Sequence, residues 1–432
     1  MTDLDDSLPR REFLKAAVAA GGTAALSACV GRLAGDDTAT PPPIPTGDGP
    51  DAHPDRQHAW NDYTRTDDAG NTLLPRHQVL LYCDLPDDGP PTEAARETVA
   101  AALDALDEAY AWSHEGLLHS VAYSPAYFDR YETPLAGVEL PRPEPLADFE
   151  TPEFDEQDLL VHLASDRPDA VLAADAALRG ERETANGVAV PSLTDAVTVA
   201  DRRTGFVGAG LPRERGAGLE GVPADNPIPE ASPLFMGFVA GFRRNQASES
   251  FVTLAAGPFA GGTTKVVSNW RQRLADWYEE QSYDERVTEL FSPQHAEQGL
   301  VEGVGETLGD DSGIDAFLEN LPEVAREHGR IGHAQKAARA NRDADGNVLL
   351  LRRHFESTDD DVASLHFPSL QRDVREFEAV RRAMNGVDVT DATPAVRQRV
   401  NNGILEYVFV RHRGYFLVPP RAKRALPRPD GE

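Results

Sequence analysis

This 432-residue chain is predicted to adopt an α+β fold of two related halves, on three observations. Short apolar runs of strand length alternate with amphipathic stretches of helix length. The order strand–helix–strand occurs twice between Val79 and Ala200. A comparable set of runs recurs between Ser250 and Val418. Such an order is that of a ferredoxin-like unit with an antiparallel sheet. The prediction is therefore two ferredoxin-like halves, residues 71–225 and 226–432.

The elements are justified in chain order. Arg10-Arg11-Glu12-Phe13-Leu14-Lys15 has the form of a twin-arginine export motif. The apolar run Ala16 to Ala25 behind it is too short to cross a ~30 Å hydrocarbon layer as a permanent helix. Leu26-Ser27-Ala28-Cys29 has the form of a lipobox, whose small residues fit a peptidase cleft and whose thiol takes up lipid. Residues 1–28 are thus read as a twin-arginine signal peptide. A mature chain lipidated at Cys29 is expected outside the cytoplasm, anchored to the membrane. Residues 29–70, rich in Gly, Pro, Asp and Thr, read as a flexible spacer.

In the first half, Val79 to Leu85 reads as a strand. Thr92 to Trp112 carries Val99, Leu103, Leu106 and Ala109 on one helical face. Leu117–Tyr123 and Asp158–Ser165 are strands, Asp169 to Gly180 is a helix ended by glycine, and Val197–Ala200 is a fourth strand. In the second half, Ser250–Ala255 and Thr263–Trp270 read as strands and Arg271–Gln281 as a helix. The Asp345-Gly346 pair marks a turn into a strand over Val348–Arg352. A helix is expected over Leu370–Met384 after Pro368, and two strands, Tyr407–Val410 and Gly414–Val418, close the chain. The run Asn341 to Gly346 imitates the start of a calcium loop. Its twelfth position is Arg352 rather than an acid, so a tight turn is the reading.

Composition narrows the function. The formal charge is -30 and there are four lysines, Lys15, Lys265, Lys336 and Lys423. Such a charge repels itself in dilute salt and is tolerated when molar salt shortens the screening length to ~3 Å. A halophilic source is expected. The sequence offers no basic stripe to meet phosphates, which argues against nucleic-acid binding. With Cys29 lipidated, Cys83 stands alone within a strand and reads as a buried, inert thiol.

Several segments, in order, resemble the dye-decolourising (DyP-type) haem peroxidases. They are Leu117 to Asp129, Asp158 to Pro168, Leu234-Phe235-Met236-Gly237-Phe238-Val239-Ala240-Gly241, Gly262 to Val267, Gly332 to Ala337, Leu350 to Phe355, and Ile404 to Pro420. The resemblance runs from about residue 117 to 420. It implies ferredoxin-like halves of the dimeric α+β barrel type, with haem b in a cavity of the second half. It further implies His333 as the axial ligand of the haem iron, a role for which neutral imidazole is suited, with His328 a chemically equal neighbour. Arg352 matches the distal arginine, which stabilises charge developing as the O–O bond of peroxide breaks; Arg353 is the match if the register slips by one. His354 would line the same pocket. The reaction implied is reduction of hydrogen peroxide by an external electron donor, and a homo-oligomer is left open.

The resemblance has departures. The family's distal GxxDG motif reads Gly237-Phe238-Val239-Ala240-Gly241, so Ala240 stands where a proton-relaying aspartate is expected. General acid–base help of that kind is worth ~10²–10⁴-fold in rate. The paired arginines expected after Val266-Val267 read Ser268-Asn269, leaving Arg271 and Arg273 nearby as candidate contacts to the haem propionates. The rival reading is a haem-binding or structural relative that has lost the peroxidase chemistry.

Overall fold

The computed structural model describes residues 42–431. The export motif, the lipobox and Cys29 lie outside the described residues. Eight strands form the framework: β1 His77–Asp84, β2 Leu118–Tyr123, β3 Leu159–Ser165, β4 Thr198–Phe206, β5 Thr263–Gln272, β6 Phe355–Ser357, β7 Ser364–Gln371 and β8 Val408–Val418. In the first half they lie in the order β4-β1-β3-β2, and in the second β6-β7-β5-β8. Each is a four-stranded antiparallel sheet of ferredoxin-like order. Two seams join them: Phe206 pairs with Glu356 between β4 and β6, and Tyr123 with Leu417 between β2 and β8. The ring of strands is closed.

Closure explains why the central strands are apolar on both faces. Val79, Leu81 and Cys83 of β1 point to the helices α1 (Glu93–Ala109) and α2 (Pro168–Leu178). The alternate residues Leu80 and Tyr82 point into the ring, where they meet Leu160, Val267, Phe355 and Phe416 from both halves. Thr92 caps α1 by accepting from the Ala95 N–H at 3.1 Å. Cys83 is buried, and burial pushes its thiol up to about 12. In the second half, α4 (Val374–Ala383) packs on β5 and β7 at the outer sheet face, and α3 (His333–Ala340) packs against α4. Among the described residues no helix is long and apolar enough to cross a membrane.

Several sequence expectations are corrected. The spacer does not extend to residue 70: Gln57, His58 and Trp60 are buried, and Gln57 bonds to the backbone of Val121 and Pro419. Ser250–Ala255 is not a strand. Ser248 accepts from the Phe251 N–H through both its hydroxyl and its carbonyl, which folds the chain into a turn. Only Leu351–Arg352 of the 348–352 run is extended. Pro368 does not lead into a helix but lies within β7, its carbonyl accepting from the Arg353 N–H at 2.8 Å. The helix starts at Val374, where Asp373 caps the Arg375 N–H. Arg271 belongs to β5, and the helix after it is Leu274–Glu279. The two closing strands are one, β8.

Candidate functional site

The site grows from the first turn of α3. Gly332 precedes it where the chain crosses Phe291, and a Cβ there would lie 1.9 Å from the Phe291 carbonyl oxygen. Only glycine allows that approach. Gln335 turns back and accepts from the Gly332 N–H at 3.2 Å, fixing the helix start. Gly403 closes against the backbone of His333 from the other side. His333 is thereby held with its ring against a cavity of about 190 Å³.

The cavity lies between α3 and the outer face of the second sheet. Its walls are mainly apolar, with Phe238, Phe291, Ile314, Phe367 and Ile404 among them. His333 makes no hydrogen bond within the described structure, and the ring is half-buried only because it faces this space. Burial, followed by the cations Lys336, Arg352 and Arg381, lowers its pKa to about 3. The imidazole is neutral, as an axial ligand must be.

Strand geometry supplies the polar wall. Arg352, His354 and Glu356 alternate along one extended run and all line the cavity. The Arg352 Nε lies 3.1 Å from Gln246 Oε1, and its Nη2 is 3.1 Å from the Asn245 carbonyl. Among the described residues no carboxylate neutralises it, so a half-buried guanidinium is left free to meet an anion; desolvation lowers its pKa to about 10, still well above neutrality. His354 stacks on Phe367 at 6.0 Å and 12°, and its Nδ1 is buried without a partner. Arg353 points the opposite way. Its Nη2 pairs with Glu249 at 2.5 Å and its guanidinium lies 4.5 Å from the Trp60 ring. The register with Arg352 in the cavity is therefore the one formed.

The Gly237–Gly241 turn forms another wall, with Val239, Ala240 and Gly241 all facing the cavity. It is pinned from behind: Trp277 Nε1 donates to the Met236 carbonyl at 2.9 Å and Tyr278 to that of Phe235 at 2.6 Å. Beyond this wall lies an open groove of about 640 Å³, sharing Ala240, Gly241, Arg352 and His354 but not His333. Arg352 and His354 thus stand between groove and cavity, with His333 deeper.

Two sequence candidates lie elsewhere. Arg271 is exposed and does not line the cavity, because strand alternation turns its neighbour Gln272 inward instead. His328 Nδ1 lies 3.0 Å from Glu297 Oε1, away from the cavity. Sequence reasoning missed Glu356, the one acid on the cavity wall. It is fully buried, accepting from the Phe235 N–H at 2.8 Å and Gln272 Nε2 at 3.1 Å. Burial pushes its carboxyl up to about 8. Its spacing of two from His354 was the available signal. Among the described residues no cluster of His, Cys, Asp and Glu could hold a metal ion.

The donor set suits a haem: an unpartnered neutral imidazole, apolar walls and an uncompensated arginine. The volume is below the ~300–1,000 Å³ of ordinary ligand pockets. The groove of about 640 Å³, which shares Ala240, Gly241, Arg352 and His354 with the cavity, adjoins it and adds room on that side.

Comparison with known proteins places the chain. The model of a family of unknown function, DUF7405, matches residues 75–420. The chain belongs to the DUF7405 family. No curated protein matches it. This DUF7405 member is similar in fold to a dye-decolorizing protein from V. cholerae, at 13% identity and a TM-score of 0.53, covering 84% of this chain and 98% of that one. It is likewise similar to a DypB variant of Rhodococcus jostii in complex with heme, at 17% identity and a TM-score of 0.54, covering 85% and 96%. The DUF7405 chain thus has the fold of DyP-type peroxidases.

Proposed function

We propose that this protein binds haem b in the cavity beside α3, with His333 as the axial ligand. The observation that carries the reading is the His333 ring, partnerless and facing an apolar cavity in a fold shared with a protein in complex with heme. The reaction proposed is reduction of hydrogen peroxide by an external electron donor. When bound, haem supplies the redox chemistry. The chain's own part is to orient peroxide and stabilise charge. Arg352, reached from the groove, donates hydrogen bonds to the oxygen that gains negative charge as the O–O bond breaks. The apolar wall excludes water, which strengthens that interaction. We further propose that the protein is exported by the twin-arginine route and anchored through lipid on Cys29.

A second reading, a haem-binding protein without peroxidase turnover, is favoured by Ala240. No carboxylate stands in the Gly237–Gly241 turn to relay a proton. The spectrum of protein prepared with ample haem tests both. A Soret band lost in His333→Ala, together with peroxide-dependent dye oxidation that falls in Arg352→Leu, is expected of the peroxidase. Haem without turnover supports the second reading, and no haem uptake refutes both.

A further inference from the structure

His333 and Lys336 are three residues apart on α3, neighbours on successive turns. Although Lys336 does not line the cavity, its charge is the foremost one acting on the His333 ring. Lys336 is fully buried. Its Nζ lies 2.6 Å from the Asn402 carbonyl, 2.6 Å from Asn402 Oδ1 and 2.8 Å from the Met384 carbonyl. Three acceptors call for three N–H donors. A neutral amine has two and would turn its lone pair on the third oxygen, so this geometry is that of an ammonium. The cradle is built for lysine. Gly386, at φ 60°, leaves the room; a Cβ there would lie 2.9 Å from Lys336 Cδ. The planar guanidinium that supplies most of this chain's positive charge cannot present three donors tetrahedrally.

Burial pulls Lys336 toward neutrality, and the three oxygens hold its proton. The acid facing it, Glu289, is also buried, is pushed up to about 8, and leaves Oε2 unpartnered. Glu289 and Asp388 offset part of the burial cost of the ammonium, and Glu289 is shared with Arg330, 3.4 Å from its Oε1. On the imidazole side, the charges that act on His333 are Lys336, Arg352 and Arg381, all cations. Metal-bound histidines ordinarily donate their second N–H to a carboxylate, a carbonyl or water, which raises their basicity. His333 has no such protein acceptor among the described residues.

We propose that Lys336 is a tuning residue that, with His333 lacking an acceptor, holds bound haem at a high reduction potential and so in its reduced form. This rests on the haem reading above. The oxidised haem carries one more positive charge than the reduced, so a fixed cation nearby raises its energy more. An imidazole without an acceptor donates less electron density to the iron, which acts in the same direction. A reduced haem with no acid in the Gly237–Gly241 turn favours the second reading above, haem binding without peroxidase turnover.

The test is a redox titration of the full haem-loaded chain, wild type against Lys336→Gln and Lys336→Met. The midpoint potential is expected to fall in both variants, with the Soret band retained. An unmoved potential in Gln and Met overturns the proposal. The iron–histidine stretch of the reduced wild type, read by resonance Raman, needs no variant and decides the case if these do not fold. A low frequency typical of neutral imidazole is expected, and a high, imidazolate-like frequency overturns the proposal. A Soret band surviving unchanged in His333→Ala fails the haem reading itself. Its loss there beside an unmoved potential in the Lys336 variants fails only the tuning.

Discussion

Glu356 shows how a single side chain sets the chemistry of the cavity. It is fully buried with no cation paired to it, and its carboxyl is pushed up from the usual range to about 8. The adjacent Gln272 leaves Oε1 buried and unpartnered. A turn of that amide gives a protonated Glu356 an acceptor. The stability consequence has a definite sign. In the unfolded chain this carboxyl ionises near 4.5, whereas in the folded protein it keeps its proton to about 8. Between those values the folded state binds more protons, so this contribution is complete below 4.5 and is lost as pH rises through 8. The slope is at most about 1.4 kcal/mol per pH unit. Thermal melts of Glu356→Gln from pH 5 to 8 are expected to show a shallower fall with pH than the wild type; identical slopes refute a neutral carboxyl. Sequence reading missed Glu356 because its spacing of two from His354 is a signal only once that stretch is known to be extended and to face the cavity. The register with β7 decides it, and register is a long-range property.

At the scale of elements, the start of α3 is the part most tightly specified by local sequence. A Cβ on Gly332 would overlap the Phe291 carbonyl, so Gly332→Ala must shift either α3 or the 291–292 segment. A loss of about 3 kcal/mol or more is expected in urea unfolding, in line with overpacking of a rigid site. Loss of haem uptake should accompany it, since His333 follows directly; a variant of wild-type stability and uptake would contradict the geometry. The strands β1, β2, β3 and β5 were legible as runs of apolar residues, and α1 as a face of Val99, Leu103 and Leu106. Strand β7 was not. Its proline, its one histidine and its two serines break the apolar run, and burial between β5 and β6 holds it extended all the same. Arg271 failed as a candidate for the same reason that Gln272 succeeds, since a change of one residue in a strand reverses the face. His333, Arg352 and His354 meet in the cavity although 19 and 21 residues of chain separate the first from the others. Helix and strand must first be packed together before that proximity exists.

The whole molecule is held by two kinds of force that respond to salt in opposite ways. Its ring interior draws Leu80, Tyr82 and Leu160 from one half and Val267, Phe355 and Phe416 from the other. That shared core gives one cooperative unit, and residues 71–225 alone would expose one face of it to water. They are expected to melt without a sharp transition, whereas the full chain should unfold in one. Set against the core is a formal charge of -30. Buried arginine pairs, such as Arg203 with Asp155 at 2.6 Å and Arg413 with Glu150 at 2.8 Å, are shielded from solvent and lose little to added salt. The unpaired acids at the surface repel one another at every ionic strength low enough to leave them unscreened. Salt therefore removes more repulsion than attraction. Kosmotropic anions add to this by favouring burial of the core. Melting temperature should rise steadily from 0.1 to about 3 M potassium chloride as the screening length contracts from ~10 Å toward ~3 Å and below. A flat or falling curve would mean that the surface acids are already neutralised by pairing, and would remove the physical ground for a halophilic origin.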